Sequence, residues 1–320
     1  MLGLILLLQA LTVAVSGPPT SSEYLPLHVA EAEDYFAREG LPVTLRLTRA
    51  EVGAAEALAQ GQVDLAATSL ESLLRFGPRI ARQSPRVVFG LTAAPPVAVL
   101  VANQAAARVR AVRDLAGARV GLSAPGGHEQ TWFGALLSRA GVKLTDVDLV
   151  SLGARGLVAA VAAGDVAAGL VHEPFAGRLL ADGEAWLLAD LRTPAAVEKS
   201  LGHATMGAAI FARADRLPPD AEIQAFIRAL RAAERQLAGA GAEALATKLA
   251  RRVVGAPDEF AARLEASRAL YLPNGDVTAV QLRDTIAMIR GQTPLPPTLA
   301  LPRPEDMLYQ AVKRPASRRR

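Results

Sequence analysis

Short apolar runs alternate with amphipathic segments along the first ninety residues of the chain. Four runs have the length and apolar content of buried strands: residues 11–16, 43–47, 63–67 and 85–91. Three segments with helical periodicity separate them: residues 24–39, 54–60 and 70–76. This alternation predicts parallel strands joined by helices that cover both faces of a sheet.

A second series of the same kind begins at Arg119. Its predicted strands are 119–122, 148–152, 166–171 and, less regular, 186–189, and its predicted helices are 129–140, 156–163 and 175–180. Two further extended segments, 97–101 and 207–212, flank this second series. Beyond Pro219 the pattern becomes helical over 222–237, 242–253, 257–270 and 277–289, and a proline-rich stretch follows at 294–304.

The predicted fold is therefore α/β, with two parallel-rich sheets flanked by helices and the second unit inserted within the first. We expect lobe 1 to comprise 11–97 and 208–300, lobe 2 to comprise 98–207, and 301–320 to form a proline-rich, basic tail. In open α/β sheets, ligands bind beyond the carboxyl ends of the strands. Two such sheets facing each other predict a ligand cleft that closes like a hinge, with the two extended crossings as its floor.

The N-terminal segment LGLILLLQ, at residues 2–9, is too short to span a bilayer. It resembles the end of an export signal, with Leu8-Gln9-Ala10 as a loose cleavage site, but no charged segment precedes it. The segment is either a truncated signal or a first buried strand. We expect residues 1–10 to be the remnant of an export signal.

Composition removes several classes of function. The net charge of +4 includes five positive charges in KRPASRRR at 313–320, so the rest of the chain carries −1 and nucleic acid is not an expected partner. The chain has no cysteine, which excludes disulfides, thiolate metal sites and cysteine nucleophiles. Its four histidines lack the spacing of a metal site, so neither metal nor cofactor is expected.

Polar side chains follow the predicted strands of the first lobe. Three hydroxyls and an acid precede an aromatic ring after the first strand, which favours a ligand loop formed by Ser21, Ser22, Glu23 and Tyr24. Arg49 and Glu51 follow the second strand. They could form a solvated pair, or Arg49 could line the cleft. Thr68 and Ser69 follow the third strand, where a helix N-cap is expected and is compatible with ligand contact.

In the second lobe the most distinctive loop is SAPGGH, between strand 119–122 and the helix after it. Its free backbone N–H groups favour a polar ligand head, so Ser123, Gly126, Gly127 and His128 are candidates. Trp132 lies one turn after His128 and is interpreted as core rather than as a stacking surface.

Three further candidates follow the later strands of the second lobe. Arg155 could bind an anionic head through its guanidinium, or could be a solvated arginine that opposes the helix dipole. His172 and Glu173 end strand 166–171, and Pro174 suits the start of the next helix. We expect His172 and Glu173 to line the cleft.

Several motifs carry a family resemblance. Residues 22–30 (SEYLPLHVA), 34–36 (DYF) and 39–41 (EGL) resemble the opening of the nitrate-, taurine- and aliphatic-sulfonate-binding proteins, a superfamily that includes thiamine-pyrimidine-binding proteins. Asp34 stands where that family usually has glycine. Further matches are ALAQGQVD at 57–64, DLAG at 114–117, AGDVAA at 163–168 and HEPF at 172–175. The resemblance extends in order over about 11–290.

The resemblance implies a type II periplasmic-binding-protein fold and the solute-binding component of an ABC importer. A small, anionic ligand such as a sulfonate, taurine or nitrate, or else a thiamine pyrimidine, would be captured by hinge closure. An ABC permease and an ATPase would be the partners of a periplasmic or exported monomer, which meets the membrane only through the permease or a missing N-terminal anchor.

Two alternatives remain open from sequence, because the fold alone does not determine function. An enzyme of the menaquinone-pathway kind could use His128 or His172 with a carboxylate as an acid–base pair. A ligand sensor is the other. The cysteine-rich motif of the eukaryotic thiamine-pyrimidine synthases is excluded, because the chain has no cysteine.

Overall fold

The computed structural model describes residues 10–48, 52–124 and 128–310. The expected export remnant up to residue 9, the basic end 313–320, and the candidates Arg49, Gly126 and Gly127 lie outside the described residues. Within the described part of the chain, no helix is both long enough and apolar enough to cross a bilayer.

The first sheet contains the four N-terminal strands and one strand that returns from much later in the chain. Its strands are β1 (Leu11–Val15), β2 (Val43–Leu47), β3 (Leu65–Ser69), β4 (Pro85–Gly90) and, from the later part of the chain, β10 (Ala208–Arg213). The spatial order is β2-β1-β3-β10-β4. The four N-terminal strands share one direction, and β10 is antiparallel to both of its neighbours.

The second sheet repeats this arrangement. Its strands are β5 (Val97–Ala102), β6 (Arg119–Leu122), β7 (Asp148–Ser151), β8 (Ala168–His172) and β9 (Ala185–Asp190), in the order β7-β6-β8-β5-β9. Here β5 is the strand that runs against the others. The predicted two-lobed α/β architecture is confirmed, and both extended crossings are strands within a sheet.

The direction of β5 and β10 follows from where the chain crosses between the sheets. A strand that enters a sheet beside the carboxyl ends of its neighbours can only run away from that edge. It is therefore antiparallel to them. Each sheet consequently holds one reversed strand in the fourth of its five positions, and both crossings lie beside the edge where the loops after β1, β6 and β8 emerge.

The helices cover both sheets. In chain order they are α1 (Leu25–Ala32), α2 (Tyr35–Arg38), α3 (Gly53–Ala59), α4 (Leu70–Phe76), α5 (His128–Arg139), α6 (Gly153–Ala163), α7 (Phe175–Ala181), α8 (Pro194–Leu201), α9 (Asp220–Gly239), α10 (Ala242–Ala246), α11 (Arg251–Val254), α12 (Pro257–Ser267), α13 (Ala279–Gln292) and α14 (Pro304–Met307). The sequence pattern did not predict α8. The single helix expected over 242–253 is instead two short ones.

The helix predicted over 24–39 is also divided, and the cause is visible at Asp34. This residue has φ 56° and separates α1 from α2. Left-handed backbone favours glycine, which is the residue that the family resemblance leads one to expect there. Phe36, two residues later, stacks on Phe226 of α9 with ring centroids 5.2 Å apart, so the break directs α2 onto the core.

The two crossings are hydrogen-bonded to each other and to α13. The Thr205 hydroxyl donates to the Ala93 carbonyl at 2.7 Å, and the Ala208 N–H donates to Thr92 Oγ1 at 3.0 Å. The Met206 N–H donates to Thr285 Oγ1 on α13 at 2.9 Å. These groups are buried, so the crossings form one connected polar floor between the lobes.

Replacing Thr285 by Val tests this floor, because valine keeps the shape and removes the hydroxyl. The Met206 N–H would lose its buried acceptor. We expect Thr285→Val to lower the free energy of unfolding by about 1–3 kcal/mol in urea denaturation. The matched control is Thr247→Val, whose exposed hydroxyl donates to the Ala244 carbonyl. Equal effects of the two substitutions would show that the hydrogen bond from Met206 to Thr285 makes no specific contribution to the free energy of unfolding.

Candidate functional site

A cavity of about 350 Å³ lies between the two lobes. It is located at the carboxyl ends of β1, β6, β7 and β8, where loops of both sheets converge, as expected for open α/β sheets. Helices near the C-terminus complete one side of it. The lining residues are Gly17, Pro18, Thr20, Ser21, Ser22, Glu23, Tyr24, Pro96, Ser123, Ala124, His128, Glu129, Ala154, His172, Glu173, Pro174, Phe175, Gly255, Glu259 and Arg263.

Glu129 is the best-connected side chain of this cavity. It is 4% exposed and lies in the first turn of α5, where the helix dipole favours a negative charge. The Ser123 hydroxyl, after β6, donates to Glu129 Oε1 at 2.5 Å. His172 Nε2, at the end of β8, lies 2.6 Å from Glu129 Oε2. One carboxylate therefore joins two strand ends to the start of a helix.

The same contacts determine the charge of Glu129. Burial opposes its ionisation, but the charges and hydrogen bonds of His172, His128 and Ser123 outweigh burial and lower the pKa to about 2. Glu129 is therefore a carboxylate at neutral pH.

The first lobe contributes a short 3-10 turn, Ser22–Tyr24, directly before α1. All three of its residues are buried, and the turn is fixed by Tyr271, whose hydroxyl donates to the Ser22 carbonyl at 2.9 Å. Glu23 faces the second lobe, with its Oε2 3.8 Å from His128 Nε2. The pair Glu23–His128 thus spans the cleft.

Glu173 is held from outside the cavity. Arg192 donates to its Oε1 at 2.7 Å, and the Gly177 N–H donates to its Oε2 at 3.1 Å. Arg192 also makes two side-chain hydrogen bonds to Asp190, each 2.9 Å long. Glu173 therefore fixes the loop between β8 and α7, and its charge is compensated by Arg192.

The structure brings many of the sequence candidates together on this cavity wall. They are Ser21, Ser22, Glu23, Tyr24, Ser123, His128, His172 and Glu173. Trp132 is 3% exposed within the hydrophobic core, as interpreted from the sequence.

Three other candidates lie off the wall. Thr68 is fully buried and accepts a hydrogen bond from the Ser16 hydroxyl at 3.0 Å. Ser69 caps α4 by accepting from the Ser72 N–H at 3.1 Å, which confirms the expected N-cap. Arg155 is exposed on the first turn of α6, next to the lining residue Ala154.

Sequence reasoning missed Glu129, although a signal was available. Glu129, Trp132, Phe133 and Leu136 share one helical face, so an acid at that position occupies the buried side of an otherwise apolar stripe. Glu259 and Arg263 were also missed. They lie on α12, more than eighty residues after Phe175, the last lining residue of the second lobe, and no local pattern distinguishes them.

Arg263 has a structural role. Its Nη2 donates to the carbonyls of Val253 and Val254 at 2.9 and 3.0 Å, at the end of α11. Burial lowers its pKa from the ordinary value, against the raising influence of Glu259 and Tyr271. Gly255, at φ 65°, then turns the chain from α11 into α12.

The order of the polar contacts limits the chemistry of the site. Glu129 lies between Ser123 and His172, so the Ser123 hydroxyl donates to a carboxylate and not to an imidazole. A nucleophilic serine requires a partner basic enough to take its proton, and a carboxylate whose pKa is about 2 is too weak a base at neutral pH. Within the described residues, no group of three His, Asp or Glu side chains is arranged to hold a metal ion.

The family model described as NMT1/THI5 like matches residues 21–238, which is more than half of the chain. The chain belongs to the NMT1/THI5-like family. A comparison with curated proteins found no significant match.

Solved structures similar to this NMT1/THI5-like chain share its fold at low sequence identity. The periplasmic aliphatic sulphonate binding protein SsuA of Escherichia coli is 20% identical with a TM-score of 0.67, over 88% of this chain and 92% of that one. The alkanesulfonate-binding protein SsuA of Xanthomonas axonopodis pv. citri, bound to MOPS, is 20% identical with a TM-score of 0.63, over 94% and 98%. The periplasmic nitrate-binding protein NrtA of Synechocystis PCC 6803 is 15% identical with a TM-score of 0.55, over 84% and 72%.

The depressed pKa of Glu129 predicts a pH dependence of stability. Since the pKa falls from 4.5 to about 2 on folding, its contribution is fully present above pH 4.5 and is lost as pH falls toward 2. We expect Glu129→Gln to lower the free energy of unfolding by about 3 kcal/mol at pH 7, with the difference from wild type shrinking below pH 4.5. Urea unfolding of both proteins between pH 7 and about 3 measures it.

The control is Glu198→Gln, which removes an exposed carboxylate on α8. Its effect should stay small and independent of pH. If the difference in free energy of unfolding between wild type and Glu129→Gln stays constant down to pH 3, Glu129 does not have the depressed pKa assigned to it.

Proposed function

We propose that this protein is the solute-binding component of an ABC importer and captures a small molecule between its lobes. The observation that supports it most is the position of the cavity. Loops at the strand ends of both sheets line it, and two crossing strands connect the lobes. A ligand that contacts Tyr24 on one lobe and His172 on the other would favour the closed arrangement. The sulfonate- and nitrate-binding proteins with the same fold support the same role.

The proposed binding residues are the candidates on the cavity wall together with Glu129. They are Ser21, Ser22, Glu23, Tyr24, Ser123, His128, Glu129, His172 and Glu173. Arg49, Gly126 and Gly127 remain proposals from sequence, as do Arg155, Thr68 and Ser69. A volume of about 350 Å³ is near the lower end of the range for ligand sites, which favours a compact solute.

The function implies a permease and an ATPase as partners, and a periplasmic or exported location. We further propose a monomer divided into lobes at the boundaries inferred from sequence, since one chain supplies both sides of the cavity. The comparisons give no support to the enzymatic alternative, since solved structures with the same fold are sulfonate- and nitrate-binding proteins, although His172 does pair with a carboxylate, that of Glu129.

Binding by closure predicts two linked effects of a true ligand. A ligand at a hundredfold excess over its dissociation constant stabilises the folded state by about 2.7 kcal/mol, because it binds only that state. The melting temperature should therefore rise by several degrees, and the radius of gyration should fall. Thermal shift followed by small-angle scattering with the best hit measures both effects.

Recovery of the ligand distinguishes a binding protein from an enzyme. We expect the solute to be returned chemically unchanged after prolonged incubation with purified protein. Turnover would contradict the proposed function. A tight ligand that leaves the radius of gyration unchanged would contradict closure but not binding.

A further inference from the structure

We propose that the base of lobe 1 docks on an anionic lipid bilayer. The docking surface consists of residues 78–86 and 213–219, two neighbouring segments that we call the basal patch. It lies outside the cavity, so the proposal goes beyond solute binding. It also adds a membrane contact to those that the family resemblance implies.

The basal patch lies at the amino end of β4. Its first segment leads into β4, which begins at Pro85, and its second segment follows from Arg213, where the antiparallel β10 ends. The Ala214 N–H donates to the Ser84 carbonyl at 3.0 Å, so the two segments are joined. The cavity lies at the opposite, carboxyl edge of the same sheet. A partner bound to the basal patch therefore leaves the cavity open to solute.

Each segment exposes a large apolar side chain. Ile80 is 55% exposed and Leu217 is 40% exposed, and among the described residues only Leu187 and Val280 are large apolar side chains with comparable exposure. Ala81, next to Ile80, lines the same surface groove as Leu217. A single exposed apolar side chain is ordinary, but two on adjoining segments offer a partner a contact from which water is excluded.

The same two segments carry an excess of positive charge. They contain five arginines and one aspartate, which is a net charge of +4. The aspartate, Asp215, pairs with Arg213 at 2.7 Å. Arg79, Arg82 and Arg216 are exposed, and Arg79 and Arg216 donate to backbone carbonyls, which have no net charge to neutralise them. Positive charge therefore surrounds the two apolar side chains.

The acids nearest to the patch reduce this charge without cancelling it. The groove beside Leu217 also holds Asp220, Glu305 and Asp306. The Tyr309 hydroxyl donates to Asp220, and Arg303 pairs with Asp306 at 2.9 Å. With these three acids and Arg303 included, patch and groove together keep a net charge of +2.

An anionic bilayer matches both the charge and the apolar side chains. Headgroup phosphates pair with guanidinium groups, while apolar side chains between them reach the boundary of the acyl chains. A nucleic acid would match the charge, but its phosphate backbone gives Ile80 and Leu217 no apolar contact. The described chain ends at Gln310 in the same groove, and the sequence carries five further positive charges at 313–320. A second basic segment is therefore attached beside the patch.

Co-sedimentation of the full chain with lipid vesicles tests the charge of the basal patch. At about 0.1 M salt we expect binding to vesicles of phosphatidylcholine with about 30% phosphatidylglycerol, and no binding to pure phosphatidylcholine. Arg79→Gln with Arg82→Gln should weaken binding by about tenfold or more, because each basic residue near an anionic surface contributes about fivefold. The matched control is Arg108→Gln with Arg110→Gln, which removes the same charge from two exposed arginines between β5 and β6.

A second pair of variants tests the apolar contact. Ile80→Ser with Leu217→Ser should weaken binding to the phosphatidylglycerol vesicles by about tenfold, since these side chains would no longer leave water. The control is Val280→Ser with Leu187→Ser, because those side chains are 56% and 37% exposed and lie outside the patch. All four side chains are exposed, so the melting temperature should stay close to that of wild type.

The controls decide the outcome. Equal losses in a patch variant and in its matched control would overturn the proposal, as would equal binding to the two kinds of vesicle. A DNA duplex of mixed sequence is the rival anion. If the chain binds that duplex, and the Ile80→Ser and Leu217→Ser variant binds vesicles as wild type does, the patch is a nucleic-acid surface and lipid docking is overturned.

Discussion

The buried carboxylate of Glu129 is the interaction on which the cavity depends. A carboxylate removed from water is stable only if hydrogen bonds and positive charge replace its hydration. Ser123 and His172 supply that replacement from the ends of two neighbouring strands, β6 and β8. The loops after these strands are consequently held at fixed positions relative to α5. His128, the residue before Glu129, is thereby directed across the cleft toward Glu23.

In the first lobe, different contacts fix the loop that lines the cavity. Its loop after β1 carries hydroxyls and one acid, and the polar turn Ser22–Tyr24 is buried. Tyr271, from the C-terminal half, donates to that turn at Ser22, and α12 places Glu259 and Arg263 beside it. The C-terminal helices therefore complete a wall that the first sheet alone leaves open.

Much of this arrangement was predictable because it depends on local rules. Apolar periodicity located the strands, and their carboxyl ends located Ser21 to Tyr24, Ser123, His128 and His172. The rest depends on contacts between residues that are far apart in the sequence, and no local pattern predicts such contacts. Neither the hydrogen bonds of Glu129 nor the position of Arg263 on the cavity wall can be inferred from the spacing of residues in the sequence. Strand order and helix packing determine both. Asp34 is different: its left-handed backbone is a local feature, but aspartate gives a weaker signal for it than glycine would.

The hydrogen bonds of α13 restrict how the two lobes can move. Thr293, just after this helix, contacts Glu71 of the first lobe at 3.3 Å and Thr131 of α5 at 2.7 Å. Within the helix, Thr285 accepts from the crossing at Met206. A hinge that opened around α13 would break these contacts together. A motion that keeps them must pivot on the buried floor and separate the lobes where Glu23 faces His128, a contact 3.8 Å long across the cavity. Opening on that side exposes the carboxylates to solvent, and closing removes them from it. Whatever enters must therefore replace the hydrogen bonds to water that these groups lose on closing, and that requirement is itself a source of selectivity.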